Sequence, residues 1–279
     1  MKDVPPSLPD GDGLRLSGAP LDRARRILVV VPGALTRLEV FAPLTEALPS
    51  GTALVELAFP GMDGRPLDRP LRVRATARRL ARRLNASPAT RIDLVGISAG
   101  SAVCFELRGR LSCPDVTLAA IAAPAPFPYV AFASIWMTTD IWRAWRAHRG
   151  APWPLIWFEL FQVLLFGRVE KRPPLPLDDH GRRVGPTVTP TPRLLAYHGA
   201  GVALWRPSVR AMRAQTPIRF FHGSQDTVSP SGAMARFARR VRNADVTWYR
   251  DRGHLAHVLN PDLYADIRRF WLYRGRLPG

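Results

Sequence analysis

The chain has 279 residues, of which 47% are hydrophobic, enough for one large core and too many for a disordered protein. Its formal net charge of +18 comes almost wholly from arginine, since Lys2 and Lys171 are the sole lysines. Two cysteines, Cys104 and Cys113, exclude a disulfide scaffold and the paired-cysteine spacing of a zinc site. Residues 1–12 read as a loose tail without the apolar stretch of a secretory signal. Leu14–Leu16 predicts a short edge strand. Arg26–Val31 (RILVVV) is nearly continuous in β-formers, as in a strand buried on both faces. It runs into Pro32-Gly33-Ala34-Leu35. A helix is then expected from Thr36 to Leu48, with Thr36 as N-cap and Glu39 as its capping-box partner.

Thr52–Ala58 is the next strand. In Val73–Leu84, Val73, Ala77, Leu80, Ala81 and Leu84 share one helical face and arginines take the others, an amphipathic helix with a solvated basic side. Arg91–Gly100 reads RIDLVGISAG. Its apolar run ends abruptly at Gly96-Ile97-Ser98-Ala99-Gly100, and Ser101–Leu107 is apolar enough to start a helix. A strand, a glycine-flanked turn carrying serine, and a helix make up the context of a nucleophile elbow. Val116–Ile121 is another strand. Strands alternating with helices predict an α/β fold, a mostly parallel sheet covered by helices on both faces.

The alternation breaks at Pro124. Residues 125–215 hold five of the eight tryptophans between Trp136 and Trp157, then a proline-rich stretch, Arg172–Pro192. They read as an inserted helical lid, with Arg172–Pro192 as its flexible part. The core would then comprise residues 1–124 and 216–279. Alternation resumes with the strand Pro217–His222, a helix from Ser231 to Asn243, the strand Val246–Tyr249 and a last helix, Pro261–Tyr273. The longest apolar run, Pro152–Gly167, is interrupted by Glu159 and Gln162 and is short for a bilayer span. With no signal peptide or span evident, a cytoplasmic protein is the expectation. The arginines are spread over many separate predicted helices, which points to compositional bias and to no specific nucleic-acid partner.

Four segments follow strands in chain order: Val29–Leu35 (VVVPGAL), Gly96–Gly100 (GISAG), His222–Asp226 (HGSQD) and Arg252–His254 (RGH). On these segments the chain resembles the α/β-hydrolase family, over residues 26–124 and 217–273. The resemblance implies a Ser98, Asp226, His254 triad in the family's chain order. Serine needs an adjacent base to attack, histidine titrates near neutrality, and a carboxylate behind the ring fixes its tautomer. Asp63, Asp115 and Asp251 compete with Asp226, and His257 competes with His254. The resemblance assigns the oxyanion hole to the N–H groups of Ala34 and Ala99. Here Pro32-Gly33 replaces the His-Gly of many relatives, which removes a histidine that would shape that loop. His222 is expected to pack beneath the acid loop, and His148, His180 and His198 to be surface or lid residues.

Leu35, Ile97, Trp136 and Trp157 are the expected pocket residues. The resemblance implies hydrolysis of a carboxylic ester with a hydrophobic acyl or alcohol group, without metal or organic cofactor. Thioester hydrolysis or acyl transfer by the same triad is the alternative chemistry, and a non-catalytic binding protein the alternative class. The partner is thus a small hydrophobic ester or thioester. Tryptophan and arginine together in the lid also suggest weak association with a membrane surface.

Overall fold

The computed structural model describes residues 10–46, 48–169, 172–175, 177 and 183–274. In chain order the strands are β1 (Leu14–Gly18), β2 (Arg26–Val31), β3 (Thr52–Leu57), β4 (Arg91–Ile97), β5 (Asp115–Ile121), β6 (Ile218–Gly223) and β7 (Ala244–Tyr249). They form one sheet in the order β1-β3-β2-β4-β5-β6-β7. β1 runs antiparallel to β3, and the remaining pairs are parallel.

The helices are α1 (Ala42–Thr45), α2 (Val73–Asn85), α3 (Ala99–Arg108), α4 (Tyr129–Ala147), α5 (Trp153–Phe166), α6 (Pro192–Ala203), α7 (Val209–Met212), α8 (Ser231–Ala238), α9 (Ala256–Leu259) and α10 (Asp262–Leu272). The period-2 side-chain alternation of the strands divides the core into two layers. Ile27, Val29 and Val31 of β2 face a layer built by α2, α3 and α8. Leu28 and Val30 face the opposite layer, built by α1 and α10. Burial on both faces explains why β2 and β4 lack polar alternation.

The segment after β2 differs from the sequence expectation. A single helix from Thr36 to Leu48 does not form. Leu38–Phe41 is a 3-10 turn, and α1 follows with Pro43 in its first turn. Thr36 does not cap: its hydroxyl donates to the Ala34 carbonyl at 3.4 Å. The Leu38 N–H is capped by the Asp63 carboxylate instead, 3.3 Å from each oxygen. Asp63 comes from the loop after β3, so the cap is supplied across space.

Between β5 and β6, residues 125–215 carry α4 to α7 and no strand among the described residues beyond an isolated bridge, Leu177 with Arg183. α4 packs against α5 and α6. The proline-rich stretch Arg172–Pro192 is described at 172–175, 177 and 183–192, and its remainder, with His180, lies outside the described residues. Among the described residues no helix is long and apolar enough to cross a membrane.

Candidate active site

The site lies where β2, β4, β6 and β7 end, at their carboxyl edge, the usual ligand position in an open α/β sheet. Ser98 separates β4 from α3 with φ 48° and ψ −114°. Such a conformation in a non-glycine residue costs about 1–3 kcal/mol and persists only where its surroundings enforce it. Here the Ser98 N–H donates to the Ile121 carbonyl at 2.8 Å. The flanking glycines are a steric requirement. A Cβ on Gly96 would lie 2.6 Å from the backbone of Gly100, and one on Gly100 would lie 2.1 Å from the Val31 carbonyl oxygen.

Three residues spread over 156 positions of the chain meet at this turn. His254 Nε2 is 2.8 Å from Ser98 Oγ, and His254 Nδ1 is 2.8 Å from Asp226 Oδ2. An ionised carboxylate only accepts, so Nδ1 carries the proton and Nε2 is left to accept the serine hydroxyl. Asp226 Oδ1 accepts the N–H groups of Val228 and Ser229, each at 2.8 Å. Burial would raise the Asp226 carboxyl, but His254, His222 and these hydrogen bonds outweigh it and hold the group below the ordinary carboxylate range. His222 sits beneath the acid loop. Its Nε2–H donates to the Ser229 carbonyl at 2.7 Å, with Asp226 Oδ2 3.3 Å from the same nitrogen. His257 does not reach Ser98 by any hydrogen bond. It is buried in α9, its Nδ1 has no partner among the described residues, and burial with neighbouring His254 pushes its pKa down to about 3.

The loop after β2 carries the second half of the site. Ala99 opens α3, where the first N–H groups have no acceptor within the helix. The Ala34 N–H takes no acceptor among the described residues. The next residue, Leu35, is left-handed at φ 61°. Its N–H donates to His198 Nδ1 at 3.3 Å, and His198 Nε2–H donates to the Pro60 carbonyl at 2.8 Å. His198 is therefore not a surface residue: it is buried in α6, and burial lowers its pKa and favours the neutral ring that both bonds require. The partner that holds this loop is thus a histidine 163 residues from Leu35. No periodicity or motif in the sequence marks this pairing.

Above Ser98 lies a cavity of about 390 Å³. Leu35 and Ile97 line it from the core, and Trp157, Phe161 and Leu164 line it from one face of α5. Val184 and Val188 of the proline-rich stretch close a further side. Trp136 does not take part. It lies on α4, half exposed, with the Arg168 guanidinium 5.5 Å from its ring. α5, not α4, is the helix that faces Ser98, so Trp157 lines the cavity and Trp136 does not. α5 also holds the histidine loop: Gly253 N–H donates to Leu165 O at 2.7 Å and Leu255 N–H to Leu164 O at 3.0 Å. Cys104 is buried and Cys113 half-buried, both as free thiols. Among the described residues no group of three His, Cys, Asp or Glu side chains is arranged to hold a metal ion.

The sequence profile of the alpha/beta hydrolase family matches residues 28–267. The chain belongs to that family. Among solved structures, this α/β-hydrolase is similar to MenH from S. aureus, with a TM-score of 0.65 and 17% identity over 95% of this chain and 99% of that one. It is also similar to a thermophilic esterase from Thermogutta terrifontis, with a TM-score of 0.60 and 19% identity over 94% and 93% of the two chains. A lipase-esterase related protein from Clostridium acetobutylicum matches with a TM-score of 0.63 and 13% identity over 94% and 99%. No curated protein matches the sequence significantly.

Proposed function

We propose that this α/β-hydrolase cleaves a carboxylic ester with a hydrophobic acyl or alcohol group through an acyl-enzyme on Ser98. The observation that carries this reading is the continuous 2.8 Å chain from Ser98 Oγ through His254 to Asp226, opening onto an apolar cavity. Ser98 Oγ attacks the ester carbonyl while His254 Nε2 takes its proton. Asp226 keeps the imidazole in its tautomer and stabilises the imidazolium. The Ala34 and Ala99 N–H groups are the oxyanion donors of this reading. As the tetrahedral adduct collapses, His254 returns the proton to the departing alcohol. Water then attacks the acyl-enzyme, gives its proton to His254, and Ser98 regains it as the acid leaves. These steps balance without metal or organic cofactor. The low-identity likeness to an esterase and a lipase-esterase related protein is compatible with this chemistry.

Residues 125–215 are proposed as a lid domain over the core, with α5 as its substrate-facing wall. The test is a panel of p-nitrophenyl esters of increasing chain length beside matching acyl thioesters, together with a fluorophosphonate probe. Wild type is expected to label and to prefer esters. Ser98→Ala is expected to lose labelling and to lose kcat by about 10⁶-fold, and Asp226→Asn by about 10⁴-fold. Preference for thioesters makes the chain a thioesterase. Folded wild type that does not label makes it a binding protein and overturns the reading.

A further inference from the structure

Six of the fourteen exposed large hydrophobic residues found among the described residues lie on one helix, α4: Tyr129, Phe132, Ile135, Trp136, Trp142 and Trp145. A surface helix normally turns such residues inward and polar ones outward. α4 keeps large apolar residues on its outward face as well. At 100° per residue, Phe132, Ile135, Trp142 and Trp145 fall within one broad stripe, and they are 56, 60, 52 and 50% exposed. The inward face is held by Val130 and Ala133. α5 already occupies the space between α4 and the cavity, so the outward stripe does not serve the active site.

The charges on this face are of one sign. Arg143 and Arg146 of α4, and Arg149 in the turn just past its end, are exposed. The single acid of α4, Asp140, is largely covered and engaged by Arg168 at 2.7 Å and Arg143 at 3.6 Å. Arg146 lies 5.3 Å from the Trp142 ring centre, so aromatic face and cation are presented together. We propose that the outward face of α4 docks on an anionic phospholipid surface. The tryptophans and Ile135 would sit at the level of the headgroups, and the arginine stems would snorkel to the lipid phosphates. The chain's +18 charge adds long-range attraction to such a surface.

Two other occupants fit less well. A second copy docked α4 to α4 by two-fold symmetry would cover Arg143 and Arg146 with no free acid of α4 to pair them, since Asp140 is already engaged. A nucleic-acid groove is read by donors and acceptors, and Phe132 and Ile135 offer neither. The inference does not depend on the catalytic reading, because vesicle binding is measured without turnover.

The experiment is flotation of the full chain with phosphatidylcholine vesicles, with and without phosphatidylglycerol, at physiological salt. Three variants accompany it: Ile135→Ser/Trp142→Ser/Trp145→Ser, Arg143→Gln/Arg146→Gln/Arg149→Gln, and Arg78→Gln/Arg82→Gln/Arg83→Gln on the outer side of α2. The second and third remove equal charge from different places. Wild type is expected to float only with phosphatidylglycerol present. The α4 arginine variant is expected to lose about a hundred-fold in vesicle affinity, and the α2 variant less than ten-fold. The α4 apolar variant is expected to lose binding while keeping its melting temperature. The proposal is overturned if wild type does not float, or if the α2 variant loses as much as the α4 variant. It is equally overturned if the apolar variant floats like wild type, if that variant abolishes a concentration-dependent dimer, or if duplex DNA competes the vesicles off.

Discussion

Leu35 at φ 61° occupies a left-handed conformation that costs a residue with a side chain about 1–2 kcal/mol. That cost is met beside Ala34, the expected oxyanion donor, and the partner that holds the turn is His198. His198 acts through the loop and not on substrate, so it is a positioning residue. Removing it should let the Ala34 N–H drift, and misplacement by about 1 Å at a reacting centre costs on the order of 100-fold. His198→Ala is therefore expected to lower kcat by about 10–100-fold with little change in KM. His198→Gln should recover part of the loss, since its amide N–H can donate to the Pro60 carbonyl and its oxygen can accept from Leu35. Steady-state kinetics of the two variants against wild type checks this. Equal kcat in His198→Ala would detach His198 from the oxyanion loop.

At the scale of elements, legibility followed locality. β2, β4 and β6 were readable because each is a short β-branched or aromatic run ended by proline or glycine. GISAG was readable because the residue types the elbow needs, a serine flanked by glycines, are contiguous, although the groups that enforce it, the Ile121 and Val31 carbonyls, are remote. The expected Thr36–Leu48 helix is split because Pro43, with no N–H to donate, starts a new helix after the Leu38–Phe41 turn, and that turn is capped from remote Asp63. Arg108 shows the same limit. A basic residue in the last turn of a helix reads as a solvated cation, yet Arg108 is almost fully buried at the end of α3. Its guanidinium donates to the carbonyls of Ala211, Thr216, Ala214 and Arg242, which join α7 to the entries of β6 and β7. Desolvation lowers its pKa to about 10, so it stays charged at neutral pH. Arg108→Met would leave the Thr216, Ala214 and Arg242 carbonyls without this donor, at about 1–3 kcal/mol for each that water cannot reach, whereas Ala211 O still accepts the Arg213 N–H. A loss of at least about 3 kcal/mol in denaturant unfolding is expected, with fluorophosphonate labelling of the folded fraction unchanged.

For the whole molecule, the inserted segment and the sheet are joined at the site itself. α6 holds the loop after β2 through His198, and α5 holds the histidine loop through the Leu164 and Leu165 carbonyls. Three histidines around the site, His198, His222 and His257, are buried, and burial lowers the pKa of each. This gives the stability of the fold a defined pH dependence. The unfolded chain takes up these protons near pH ~6.5, whereas the folded chain takes them up only at lower pH, His257 at about 3. The unfolded state therefore binds more protons below pH ~6.5, and stability falls as the pH drops. Each histidine that is protonated only in the unfolded state contributes a slope of about 1.4 kcal/mol per pH unit. Asp226, held low, adds its own loss only in the more acidic range below the usual carboxylate pKa. Urea midpoints measured from pH ~7 to ~5 should decline with a slope of more than one proton. In His257→Leu that slope should be shallower by about one proton. A midpoint that is flat across this range would mean that the three rings take up protons in the folded state, which their burial opposes.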